Sequence, residues 1–127
     1  MTGDIQRHTL LTDFNTVYDV AAPELRRAFT RSAWRIPSYA GGMYCSFRFA
    51  HDQQRGWRWD RNAMVPANNA AKAVADQMDS VLEAVPLIRY QWSHEVALVI
   101  DNWRVLHGRG QRPAQENRRE LHRVYVG

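Results

Sequence analysis

One cysteine, one lysine and no long apolar run set the first limits on this 127-residue chain. With Cys45 alone, neither an internal disulfide nor a thiolate-built metal cluster can form. Nothing in the sequence approaches the roughly 18 apolar residues of a membrane span, so no membrane partner is expected. The opening Met1-Thr-Gly-Asp-Ile-Gln-Arg7 lacks the apolar segment of a signal peptide, and the expectation is a cytoplasmic protein. Repeats, low-complexity tracts and a convincing linker are missing as well. The length suits one domain with a modest core and is too short for two, so residues 1–127 are expected to form a single domain.

What is there is an ordinary globular composition, 45% hydrophobic and 24% charged. The net charge of +4 rests almost wholly on arginine, since Lys72 is the only lysine. The arginines are interleaved with 13 acids and are not gathered into a stripe, so no nucleic-acid partner is expected. Arginine in this abundance equally suits the binding of carboxylates, which the guanidinium fork grips bidentately.

Patterning places strands around helices. His8 to Asp13 reads as a short strand. A helical stretch follows with Val17, Val20, Leu25, Ala28 and Phe29 on its apolar side, and Pro23 suits the first position of a new helical turn. Ala33 to Pro37 and Met43 to Phe49 read as strands divided by Gly41-Gly42. In the second, Tyr44, Ser46 and Arg48 alternate with Cys45, Phe47 and Phe49. Trp57 to Asp60 reads as a further strand. The clearest helix runs from about Asn68 to Val85, capped by Asn68 or Asn69, striped by Val74, Met78, Val81, Leu82 and Val85, and stopped by Pro86. Leu87 to Trp92 precedes a turn at Ser93-His94-Glu95. The unbroken run Val96 to Ile100 reads as a strand buried on both faces, and Glu120 to Val126 as a last strand. The pattern suits a mainly β chain with a helical insert, a β-sandwich in outline.

The chemistry concentrates in Asp101-Asn-Trp-Arg-Val-Leu-His-Gly-Arg109 and Arg118-Arg-Glu-Leu-His-Arg123. A strand here delivers a histidine beside a glycine that permits close approach, and an arginine pair opens the next strand. Neutral imidazole is a good iron(II) ligand and an arginine fork a good carboxylate clamp, though neither alone is specific. Other candidates read as structural. Arg104 and Asp101 are expected to pair at the sheet rim, and Trp57, Trp59 and Trp92 to be core aromatics. Arg109 is either structural or pocket-lining. Asp60 and Glu95 read as solvated, and His51-Asp52 has the wrong spacing for a ligand pair.

Asp101 to Arg109 resembles the distal-histidine motif of γ-butyrobetaine and trimethyllysine hydroxylases, and Arg118 to Arg123 resembles the corresponding strand of taurine dioxygenase. His8 to Asp13 looks like the strand of this family that bears a cosubstrate-binding threonine. The resemblance to these Fe(II)/2-oxoglutarate-dependent dioxygenases covers nearly the whole chain, strongly after Leu87 and weakly before Asn68. It implies a partial double-stranded β-helix, the jelly roll of the clavaminate synthase type. It further implies that His107 is the distal iron ligand, that Arg119 and Thr9 bind the distal carboxylate of 2-oxoglutarate, and that Arg123 reaches toward an anionic small-molecule substrate. Arg119 is preferred to Arg118 because neighbours on a strand point oppositely.

The family's first histidine and its acid arrive as His-x-Asp or His-x-Glu, and no such triplet occurs here. His8, His51, His94, His107 and His122 are followed at the second place by Leu10, Gln53, Val96, Arg109 and Val124. Three explanations stay open: a partner chain supplies the triplet, the chain is a degenerate non-catalytic relative, or it is a regulatory subunit binding a small carboxylate. The first is favoured, with the chain inactive alone and its jelly roll completed by the partner.

Overall fold

A computed structural model describes residues 8–37, 41–93, 97–109 and 124. The first strand, β1 (Thr9–Asp13), runs directly into helix α1 (Phe14–Val20). The junction is sharp because the Asp13 carboxylate accepts from the Asn15 backbone N–H at 2.9 Å, closing the first turn as an N-cap. Pro23 then occupies the first turn of α2 (Pro23–Arg31), where its fixed φ and missing N–H are no cost. Phe14 and Val17 of α1 and Leu25 and Phe29 of α2 are buried at helical spacing. Val20, expected on the same apolar side, is instead 54% exposed, because α1 ends there.

Three small antiparallel sheets follow from the remaining strands. The strand β2 (Ala33–Ile36) lies between β3 (Met43–Ser46) and β6 (Val65–Pro66), while β4 (Arg48–His51) pairs with β5 (Gln54–Trp57). The single strand expected from Met43 to Phe49 is thus two. Phe47 is fully buried at the break, its carbonyl accepting from Arg58 N–H at 2.7 Å, while Ser46 Oγ donates to the Arg48 carbonyl at 2.6 Å. Hydrogen bonds from outside the ladder satisfy the backbone where the chain leaves one sheet for another. The strand expected over Trp57 to Asp60 lies earlier, ending at Trp57. Asp60 is exposed and accepts from the N–H groups of Asn62 and Ala63 in a turn.

Helix α3 (Asn69–Glu83) matches the expected span, with Ala71, Val74 and Met78 buried. Asn68 caps it by accepting from Ala71 N–H at 2.9 Å. The same side chain accepts from Ala33 N–H at 3.1 Å and donates to the Arg31 carbonyl at 2.9 Å, so it joins the end of α2, the start of β2 and the start of α3. The core these elements enclose is aromatic, with Phe14, Phe29, Trp34 and Phe47 fully buried and Trp57 and Trp59 packed against them. Phe29 and Phe47 stack at 5.0 Å between centroids.

The third sheet carries Thr9 and His107, two of the residues singled out by the sequence. Here β1 lies between β7 (Ile88–Tyr90) and β8 (Val105–Arg109), antiparallel to both. The expected strand from Leu87 to Trp92 is present in shortened form. The expected buried strand at Val96 to Ile100 is not: residues 97–100 belong to no strand, and Val99 is 93% exposed. An apolar run signals that a surface is to be covered; it does not say by what. The strand expected over Glu120 to Val126 falls outside the described residues, Val124 excepted.

Candidate functional site

The turn before β8 is built by Asp101. Its Oδ1 accepts from Trp103 N–H at 3.1 Å and its carbonyl accepts from Arg104 and Val105 N–H at 3.1 and 2.8 Å. Short acidic side chains favour such turns by bonding backbone two residues on. Arg104 does not use Asp101 as its ion-pair partner, contrary to expectation. Its guanidinium forks onto Asp13, with Nε 3.0 and 3.1 Å from the two carboxylate oxygens and Nη2 2.6 Å from Oδ2. Asp13 stands opposite Val105 in the β1–β8 register, so the fork fastens the start of β8 to the end of β1. Arg104 carbonyl accepting from Phe14 N–H at 2.8 Å adds a backbone tie at the same place.

The bound Arg104 guanidinium holds the Asp13 carboxyl below its ordinary value of 3.8; partial burial opposes this, and the Asn15 N–H adds to it. A lowered folded pKa contributes stability that is complete above 3.8 and is lost as pH falls through the folded value. Thermal stability measured from about pH 5 down to about pH 2 should therefore fall with an Asp13 component that Asp13→Asn lacks. The asparagine keeps the cap acceptor; Asp13→Ala loses it too and should cost about 1 kcal/mol more. Identical acid limbs in wild type and Asp13→Asn would show that the fork contributes nothing.

From that fixed end, β8 carries His107 two residues on. His107 stands opposite Leu11, and Thr9 stands opposite Arg109 on one side and Tyr90 on the other. Directly opposed residues of an antiparallel pair share a face, and so do residues two apart along a strand. Thr9, Leu11, His107, Ile88 and Tyr90 therefore lie on one face, with Thr9 and His107 as diagonal neighbours about 7–8 Å apart between Cα atoms. The opposite face carries Thr12, which is buried, and Leu106, which packs on the core. The Thr9–His107 face thus points away from the core; His107 is exposed and Ile88 is 61% exposed.

Thr9 also has a partner that sequence reasoning missed. Trp92 Nε1 donates to Thr9 Oγ1 at 2.7 Å, across 83 residues of sequence. Trp92 stands edge-on to Tyr90 at 5.1 Å and is not part of the buried core, whereas Trp57 and Trp59 pack on it as expected. No local signal marks such a pairing. His51 is an exposed side chain 3.3 Å from Asp52, at the tip of the β4–β5 hairpin. Arg118, Arg119 and Arg123 lie outside the described residues, as do His94 and Glu95.

Among the described residues no three His, Cys, Asp or Glu side chains are grouped to hold a metal ion. His107 is a suitable donor type, but one imidazole does not make an iron centre, so these residues by themselves do not fit one. Among the described residues no helix is long and apolar enough to cross a membrane.

No protein-family model matches the sequence, and no curated protein matches it significantly. Among solved structures, the chain is similar to a crystal structure of asparagine oxygenase in complex with Fe(II), (2S,3S)-3-hydroxyasparagine and succinate, at 13% sequence identity and a TM-score of 0.64. The match covers 84% of this chain and 35% of that one, so the chain spans about a third of the oxygenase's length. At this identity the likeness concerns architecture alone: small antiparallel sheets with three helices form a fold similar to the corresponding part of an Fe(II)-binding oxygenase.

Proposed function

We propose that this chain supplies one half of the active site of an Fe(II)/2-oxoglutarate-dependent dioxygenase acting on a small, anionic substrate. In this reading His107 is the distal iron ligand, Thr9 and Arg119 hold the distal carboxylate of 2-oxoglutarate, and Arg123 faces the substrate. The His-x-Asp half of the ligand set comes from another polypeptide. The observation that carries the reading is the β1–β8 register, which sets His107 and Thr9 as diagonal neighbours on a face turned from the core. The likeness in fold to an oxygenase solved with Fe(II) and succinate supports the reading at the level of fold.

When bound, the iron would supply the oxidising chemistry, coupled to conversion of 2-oxoglutarate to succinate. The chain's own part is positioning: an imidazole donor held on a paired strand, and a hydroxyl and a guanidinium disposed to bind a carboxylate. The exposed sheet face and the apolar segment 97–100 are the surface a partner would cover. An obligate interface of this kind buries on the order of 2,000 Å² or more.

The test is an anaerobic titration with iron(II) and 2-oxoglutarate, followed at the metal-to-ligand charge-transfer band. The chain alone should give no stoichiometric band and no turnover; a copurifying chain bearing His-x-Asp should restore both. A stoichiometric band from this chain alone would sink the split-site reading. A folded monomer that copurifies with nothing would favour a carboxylate-binding regulatory subunit or a degenerate relative.

A further inference from the structure

Two indole-to-hydroxyl hydrogen bonds occur among the described residues, and they end differently. In the core, Trp34 Nε1 donates to Ser32 Oγ at 2.9 Å, and Ser32 Oγ donates onward to the Phe29 carbonyl at 3.0 Å. That relay is closed: every polar hydrogen in it reaches an acceptor, as burial requires. On the sheet face, Trp92 Nε1 donates to Thr9 Oγ1 at 2.7 Å. An indole N–H can only donate, so Thr9 accepts in this bond and its own hydroxyl proton must point elsewhere. Among the described residues nothing accepts that proton. This relay is open, and it opens on the face that carries His107.

We infer that Trp92 is the positioning residue that fixes the Thr9 hydroxyl as a hydrogen-bond donor to a carboxylate-bearing ligand on this face. The inference deepens the reading above and rests on it. A threonine hydroxyl otherwise rotates among staggered positions and can turn a lone pair toward an incoming anion. With one lone pair engaged by Trp92, the proton is directed to the ligand, and a donor aimed at a carboxylate makes the stronger, charge-assisted kind of bond. The indole is itself held, edge-on to Tyr90, and Tyr90 is the direct cross-strand neighbour of Thr9. Trp92 does not touch the ligand in this account; it acts through Thr9.

The full chain, without metal, suffices for the test, because Thr9 and Trp92 both belong to it. The indole N–H resonances of its five tryptophans are followed by NMR during titration with 2-oxoglutarate and, separately, succinate, with Trp92 assigned through Trp92→Phe. Dicarboxylate should shift the Trp92 indole resonance in wild type. Trp92→Phe should weaken dicarboxylate binding about five- to twentyfold, the usual worth of one such hydrogen bond. Thr9→Ser, which keeps the relay, should stay within about threefold of wild type, whereas Thr9→Val should abolish the Trp92 response. Adding Trp92→Phe to Thr9→Val should cost little more, since Trp92 acts only through the Thr9 hydroxyl that valine has already removed. A merely structural tryptophan would not give rescue by serine or this non-additivity. Wild-type affinity in Trp92→Phe, or an undiminished Trp92 response in Thr9→Val, overturns the inference and leaves the dioxygenase reading standing. A wild-type indole that ignores every dicarboxylate removes the carboxylate clamp and the inference with it.

Discussion

In the two-chain enzyme proposed above, His107→Ala should lose iron(II) affinity by at least about 100-fold and abolish succinate formation. Changes to groups that merely support a metal ligand cost about 10–100-fold, and removing the ligand itself costs more. The fold should not suffer. His107 is exposed, and its backbone is held by the β1 ladder whatever its side chain, so the stability change should stay within about 0.5 kcal/mol. His51→Ala serves as the control: an exposed histidine on the β4–β5 hairpin, beside Asp52, should leave iron binding unchanged. Anaerobic titration of the three proteins decides the matter, and iron retained by His107→Ala at wild-type affinity would remove this residue from the site.

The second large effect belongs to the arginine pair. Arg119→Ala should cost about 2–5 kcal/mol in 2-oxoglutarate affinity, a loss of roughly 30-fold to several thousandfold, if the carboxylate loses the fork proposed for it. Arg118→Ala should cost far less, since adjacent strand residues face opposite ways. Competition between 2-oxoglutarate and succinate, read as product formation at graded cosubstrate, separates the two. Equal losses would mean that the expected alternation over Arg118 and Arg119 is wrong.

These expectations show where local sequence speaks and where it is silent. Asn68 announces α3 because a short polar side chain ahead of an apolar stripe has one favourable use, capping, and Pro86 follows the helix closely enough to end it. Pro23 announces α2 for a similar reason. Phe47 conceals the break between β3 and β4, since in the sequence the alternation of Tyr44, Ser46 and Arg48 with Cys45, Phe47 and Phe49 runs through it without interruption. Val96 to Ile100 misleads because apolarity is the same whether a neighbour is already in place or still to come. The Asp13–Arg104 fork joins residues 91 apart, and the Trp92–Thr9 bond residues 83 apart; no window of sequence contains either. The shared face of Thr9 and His107 likewise depends on a long-range register, with that fork at one end of it. The resemblance of Asp101–Arg109 to the dioxygenases pointed to His107 and that of His8–Asp13 to Thr9; only the pairing of β1 with β8 brings them together.

The position of β1 has a consequence for how the molecule is made. It is the first strand in the described sequence and the central strand of its sheet, yet both neighbours, β7 and β8, come from residues 88–109. At a synthesis rate of about 5–20 residues per second, β1 leaves the ribosome roughly 5–20 s before β8 exists to pair with it. Until β7 emerges neither of these two neighbours is there to pair with Thr9–Asp13, and the β8 edge waits longer still; unpaired edges are the condition under which strands from different chains join. The α-helical and aromatic core, built from residues 14–85, can assemble in the meantime and restrain β1 through Phe14 and Val17. Co-translational binding of a holdase chaperone to the nascent chain, or aggregation in its absence, would therefore concentrate in the window before residue 109 emerges.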